Sequence, residues 1–191
     1  MSFDSIENDF ADNLPDDVSG RPVSEVLVEM AEILRQAQSV LIATHVGPDG
    51  DAIGSSVGLA LGLKSLGKEA RVFSGSSVDG RFEGLIAAGS VETVDEEGAS
   101  RLAGQFDLCV LLDTSEPARS GVLEGVIFAP GQKRICIDHH LLSGEYSFDS
   151  HLAVESSPAT ACLVLWLLDE LEVAVEDDIA RALWLALATD T

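Results

Sequence analysis

The 191 residues carry 33 acidic against 11 basic side chains, a formal net charge of −22, with 46% hydrophobic residues. That length and apolar content exclude global disorder and provide for one domain with a sizeable core. The charge excludes a sequence-independent grip on long duplex nucleic acid, because the surface field repels phosphate.

Residues 1–20 hold six acids and no base and show no sustained apolar period. They read as an acidic, disordered or loosely docked leader, with the folded domain expected over residues 21–191. No apolar run approaches the roughly 18 residues of a membrane span, and the N-terminus lacks a basic-then-apolar signal pattern. A cytoplasmic protein without a membrane partner is therefore expected. From Pro22 the pattern turns helical. Val26, Leu27, Met30, Leu34 and Ala37 form one stripe, with Ser24 as the expected N-cap.

Short runs rich in Val, Ile and Leu then alternate with helical segments. The predicted strands are SVLIAT (39–44), EARVF (69–73), VETV (91–94), FDLCVLLD (106–113) and RICID (134–138). Two apolar helices follow, near 158–171 and 176–188. Near-continuous apolar strands separated by helices predict a doubly wound α/β domain. Its sheet should be mainly parallel with helices on both faces, and ligands should gather at the strands' C-terminal ends. Cys109, Cys136 and Cys162 are odd in number, lie in apolar segments and lack CxxC spacing. They read as reduced core thiols.

Three of those strand ends carry chemistry. SVLIAT runs into HVGPDGDAIGS, which presents His45, Asp49 and Asp51 within seven residues. FDLCVLLD ends on Asp113, and RICI is followed by Asp138, His139 and His140. A carboxylate in a Gly-rich turn is often only a turn former, and a strand-terminal Asp is often only a helix cap. Their coincidence at one predicted sheet edge, with three of the chain's four histidines, points instead to a metal centre. His151, the fourth, is expected on the surface. Carboxylates with imidazoles suit Mn²⁺, Mg²⁺ or Fe²⁺ better than a structural zinc site, which favours thiolates. The ligands outnumber what one ion needs, so two divalent ions are expected.

HVGPDGDAIGS, LLDTSEPAR, IDHH, SSPATACLVLWLL and the terminal ATDT together resemble the ordered motifs of the DHH phosphoesterase superfamily, over roughly residues 22–191. The first motif is most similar to the branch of bifunctional oligoribonuclease/3′-phosphoadenosine-5′-phosphate (pAp) phosphatases and cyclic-di-AMP phosphodiesterases. Family II inorganic pyrophosphatases resemble it less, since they usually carry Thr where this chain has Gly50. RecJ-type exonucleases usually lack this histidine.

The resemblance implies that His45 and Asp49 bind one metal and Asp51 the other, with Asp113 bridging both. His139 and Asp190 complete the second. His140 faces the substrate phosphate, Asp138 orients the imidazoles from behind, and Arg119 contacts a phosphate. The implied activity is hydrolysis of short oligoribonucleotides and/or pAp by a hydroxide that two metals, Mn²⁺ by preference, activate. Cyclic-di-AMP and pyrophosphate are the rival substrates, and a non-catalytic nucleotide- or metal-binding module is the rival outside enzymes. A homodimer is left open. Gly50 and Gly54 are expected to let backbone approach the metals. The family continues past the fourth motif into a smaller substrate-binding domain. Since this sequence ends at Thr191, it reads as the N-terminal catalytic domain without that partner.

Overall fold

The computed structural model describes residues 14–82, 84, 86, 89–141, 144 and 147–191. Helix α1 (Val23–Gln36) leads into strand β1 (Ser39–Ala43), then α2 (Gly50–Ser65) and β2 (Glu69–Ser74). Strand β3 (Val91–Thr93), helix α3 (Glu96–Leu102) and strand β4 (Leu108–Leu112) follow. A 3₁₀ segment (Pro117–Leu123) and the short α4 (Glu124–Ile127) connect to β5 (Lys133–Asp138). Strand β6 (Ser150–Ala153) and helices α5 (Thr160–Glu170) and α6 (Asp177–Asp190) close the described chain.

All six strands are parallel, in the order β3-β2-β1-β4-β5-β6. Parallel strands need crossover helices, and these cover both faces of the sheet. Val40, Ile42, Val110, Leu112, Ile135 and Ile137 point into a core shared with α1, α2 and α5. Leu41, Ala43, Phe73, Cys109 and Leu111 point into the opposite core, against α3 and α4. The doubly wound α/β architecture therefore follows the predicted pattern. Cys109 and Cys136 are buried free thiols and Cys162 is half-buried. Burial pushes the Cys109 thiol up to about 12, so it stays protonated and inert. No helix among the described residues is long and apolar enough to cross a membrane.

Three details differ from the sequence reading. Strand β6 was not predicted, because SHLA carries two polar residues in four and pairs only along β5. His151 lies on that strand rather than out on the surface. It is half-buried, its ring 5.3 Å from that of Phe148, and burial lowers its pKa. Helix α1 begins at Val23 with Pro22 as N-cap, so Ser24 lies inside the first turn. The Pro22 carbonyl accepts from Glu25 and Val26, and the Val23 amide finds the Pro15 carbonyl at 3.3 Å. Of the acidic leader, residues 1–13 lie outside the described residues. Residues 14–20 fold back on the sheet edge, where Val18 N–H donates to Ala153 O at 2.9 Å. The buried Asp17 carboxylate accepts there from Ser19 N (2.8 Å) and Arg21 N (2.9 Å).

Helix α2 is buried along nearly its whole length, from Gly50 to Leu63. One side faces the sheet core, and the other meets α6, which lies over α2 and against α5. Close approach depends on glycines spaced by four. A Cβ on Gly54 would sit 2.3 Å from the Ala182 carbonyl oxygen, and one on Gly58 would sit 2.8 Å from Leu183 Cδ2. Gly50 faces Thr189 in the same way. Gly50 and Gly54 thus admit a neighbouring helix, where an approach to metal had been expected.

Candidate metal centre

Strand order reverses between β1 and β4, which opens a crevice at their C-terminal ends. His45 follows β1 and Asp113 follows β4, one on each side of it. Asp113 holds a left-handed backbone (φ 62°), unusual for a residue with a Cβ. Its amide donates to Ile137 O at 2.9 Å, tying the turn to β5. Asp49 caps α2, accepting from Ala52 N at 3.0 Å. Asp51 is the second residue of that helix, in its first turn, and is 1% exposed. The DHH triplet ends β5, and Asp190 occupies the last turn of α6.

The expected ligands converge. His45, Asp49 and Asp113 offer ligand atoms within 4.8 Å of one another, as do Asp51, His139 and Asp190. Asp113, His139 and His140 form a third such group, so Asp113 and His139 link the two sides. His45 Nε2 lies 3.4 Å from Asp113 Oδ2. His139 Nε2 lies 3.4 Å from Asp190 Oδ2, 3.6 Å from Asp51 Oδ2 and 3.7 Å from Asp113 Oδ1.

Tautomers sharpen the meaning of these distances. His45 Nδ1 lies 3.0 Å from Val46 O, and His139 Nδ1 lies 3.1 Å from Ser157 O. A carbonyl only accepts, so each Nδ1 carries a proton and each Nε2 is turned toward carboxylates. Lone pairs facing carboxylates repel unless a cation lies between them. Two ligand atoms each about 2.1 Å from one ion are roughly 3.0–3.4 Å apart. The observed separations fall at that value or a few tenths of an ångström beyond. Asp113 Oδ2 and His139 Nε2 are moreover fully buried without a hydrogen-bond partner among the described residues. Native proteins seldom leave such atoms orphaned unless an ion or water completes them. The donor set therefore fits divalent cations.

Without a cation the site is electrostatically uncomfortable. Burial, then the neighbouring Asp113 charge, pushes the Asp51 carboxyl up to about 6. The contact with Asp113 holds the His45 imidazole above its ordinary pKa against the cost of burial. Donors offset part of the Asp51 cost: Thr160 N at 2.7 Å on Oδ2, and Ser55 Oγ at 2.8 Å and Ala161 N at 3.2 Å on Oδ1. Thr160 Oγ donates to Asp113 Oδ1 at 2.8 Å.

His140 is held differently. Its Nδ1–H donates to Asp138 Oδ1 at 2.8 Å and its side chain is 45% exposed, so Nε2 is the ring nitrogen left uncommitted. Burial works against its charged form, but Asp138 and Asp113 outweigh that and raise its pKa. Asp138 thus orients His140 alone, while the Ser157 carbonyl fixes His139. Arg119 is exposed on the 3₁₀ segment and has no carboxylate partner among the described residues. Its charge reaches His140, where it opposes protonation. Ser157 and Thr160 were not singled out from the sequence as site residues. Their signal was the SSPATACLVLWLL stretch, which carried the family resemblance but to which no site residue was assigned.

The N-terminal domain of the DHH family matches residues 39–187. The chain belongs to the DHH family. Bifunctional oligoribonuclease and PAP phosphatase NrnA of Thermus thermophilus is 37% identical over 165 residues, a match covering 85% of this chain and 46% of that protein. An exopolyphosphatase-related protein from Bacteroides fragilis superposes with a TM-score of 0.79 at 24% identity, over 87% of this chain and 50% of that one. At that identity the likeness speaks for the fold. This DHH chain therefore spans about half the length of the relatives it matches.

Proposed function

We propose that residues 21–191 form the catalytic domain of a metal-dependent phosphoesterase acting on short oligoribonucleotides and/or pAp. The observation that carries this reading is the pair of imidazole Nε2 atoms, with Nδ1 already committed to carbonyls, facing the buried carboxylates of Asp51 and Asp113 at the sheet's switch point. The substrate class rests on the likeness to the NrnA protein.

His45, Asp49 and Asp113 would hold one divalent ion, and Asp51, His139 and Asp190 a second, with Asp113 shared. Mn²⁺ is the ion we assign, and Mg²⁺ suits the same oxygen-rich set. Bound, the ions would place positive charge against the phosphoryl oxygens and lower the pKa of a water molecule.

The chain's own residues do the rest. Hydrolysis joins a water oxygen to phosphorus, breaks the bond to the leaving oxygen and delivers a proton to that oxygen. His140, fixed through Nδ1 by Asp138, presents Nε2 to donate a hydrogen bond or the proton. Arg119 supplies a fixed positive charge at the mouth, where an acidic surface would otherwise repel the substrate.

The test is hydrolysis of pAp, short RNA, cyclic-di-AMP and pyrophosphate with Mn²⁺, before and after chelation. Turnover of pAp or short RNA that chelation abolishes is the expected result. Preference for cyclic-di-AMP or pyrophosphate would reassign the substrate, and activity that survives chelation would overturn the metal reading.

A further inference from the structure

Thr160 opens helix α5, is fully buried and touches both carboxylates on which the two ion sites depend. Its backbone N–H donates to Asp51 Oδ2 at 2.7 Å, while its hydroxyl donates to Asp113 Oδ1 at 2.8 Å. The next amide, Ala161 N–H, adds a bond to Asp51 Oδ1 at 3.2 Å. The start of α5 thus grips one carboxylate through its main chain and the other through a side chain.

We propose that Thr160 is a positioning residue, whose hydroxyl fixes the Asp113 carboxylate so that one oxygen is presented to each ion. This rests on the two-ion reading above. Asp113 needs such a clamp. Its backbone is held in the left-handed region, and its Oδ2 has no hydrogen-bond donor of its own among the described residues. A carboxylate with one oxygen anchored by a hydroxyl keeps its plane, so its other oxygen stays aimed at His45 Nε2, 3.4 Å away. Without the anchor, rotation about the Cβ–Cγ bond would turn both oxygens away from His45 and His139 together. Positioning groups behind metal ligands are commonly worth roughly 10–100-fold in metal affinity. The amide bonds to Asp51 do not depend on the side chain at position 160. A substitution there consequently tests the Asp113 clamp alone.

The test is calorimetric titration of the full 191-residue chain with Mn²⁺, for wild type, Thr160→Val and Thr160→Ser, alongside thermal melts without metal. Val matches Thr in shape and lacks the hydroxyl, whereas Ser keeps it. We expect Thr160→Val to weaken Mn²⁺ binding roughly 10–100-fold, and Thr160→Ser to stay within about threefold of wild type. A merely structural role would lower the melting temperature of Thr160→Val without separating it from Thr160→Ser in affinity, and would overturn the proposal. So would wild-type affinity in Thr160→Val. Should Thr160→Val fail to fold, Thr160→Ser against Thr160→Ala reads the same contrast, and equal affinity in that pair overturns it. A wild-type chain that binds no Mn²⁺ removes the two-ion reading itself, an outcome distinct from equal binding by all variants.

Discussion

Replacing Gly54 by Ala tests how the far end of the site is held. The added Cβ would lie 2.3 Å from the Ala182 carbonyl oxygen, 2.8 Å from Ala186 Cβ and 2.9 Å from Ala186 N. Two of these are backbone atoms of α6, so no side chain can rotate out of the way. An ordinary carbon–oxygen contact is a little over 3 Å, so α6 must move by about 1 Å. Overpacking of this kind costs about 1–3 kcal/mol, and Ala returns about 0.8–1.0 kcal/mol of helix propensity relative to Gly. The net loss, up to about 2 kcal/mol, corresponds to a fall in melting temperature of at most about 4–8 °C for a chain of this size. Asp190 lies one turn beyond Ala186 on α6, and its carboxylate stands 3.4 Å from His139 Nε2. The shift carries it outward, so Mn²⁺ affinity should fall as well, by about tenfold. Circular dichroism melts and Mn²⁺ titrations read both effects. Gly125→Ala is the control, because a Cβ there meets nothing within 4 Å. A Gly54→Ala chain that melts and binds Mn²⁺ like wild type would refute the account of how α2 and α6 place Asp190.

Asp113→Ala should lose both metal and rate, because the proposed function gives this carboxylate to both ions. His140→Ala should keep most of the metal and lose rate, since its Nδ1 is committed to Asp138, and equal metal loss in the two would make His140 a ligand. The two sets of measurements are Mn²⁺ stoichiometry and steady-state hydrolysis. Asp51 gives a pH dependence. Its carboxyl, raised to about 6 in the metal-free fold from 3.8, binds a proton more readily folded than unfolded. Metal-free stability should therefore decline as pH rises from about 4 to about 6, and Mn²⁺ affinity should weaken as pH falls through about 6, where a proton competes for the ligand. Melts with and without Mn²⁺ across that range check both directions, and Asp51→Asn should flatten the metal-free trend.

Most of the sheet was legible because buried parallel strands are apolar on both faces and stand out as runs such as VLIA and LCVLL. Strand β6 was not, since SHLA is short and opens on two polar residues, so it reads as loop although three of its four residues are buried. His151 was misjudged with it: a lone histidine carries no sign that Phe148 will pack beside it. The ligand types were legible because Asp, His and Gly at three strand ends have no shared structural need. Their supports were less so. Ser157 contributes a main-chain carbonyl, which no residue type advertises, and Thr160 contributes a hydroxyl that a helix start would carry anyway. The spacing of Gly50, Gly54 and Gly58 is plain in the sequence, but it names no partner. Only the fold shows that α6 lies in that groove and ends at the metal centre.

The central claim is that this edge of the sheet holds two divalent ions. Equilibrium dialysis of the purified chain against Mn²⁺, with bound metal counted by atomic emission, tests it most directly. The account predicts two ions per chain in the wild type, and none or one after Asp113→Ala. Wild-type binding of one ion or none at saturating Mn²⁺ would contradict it.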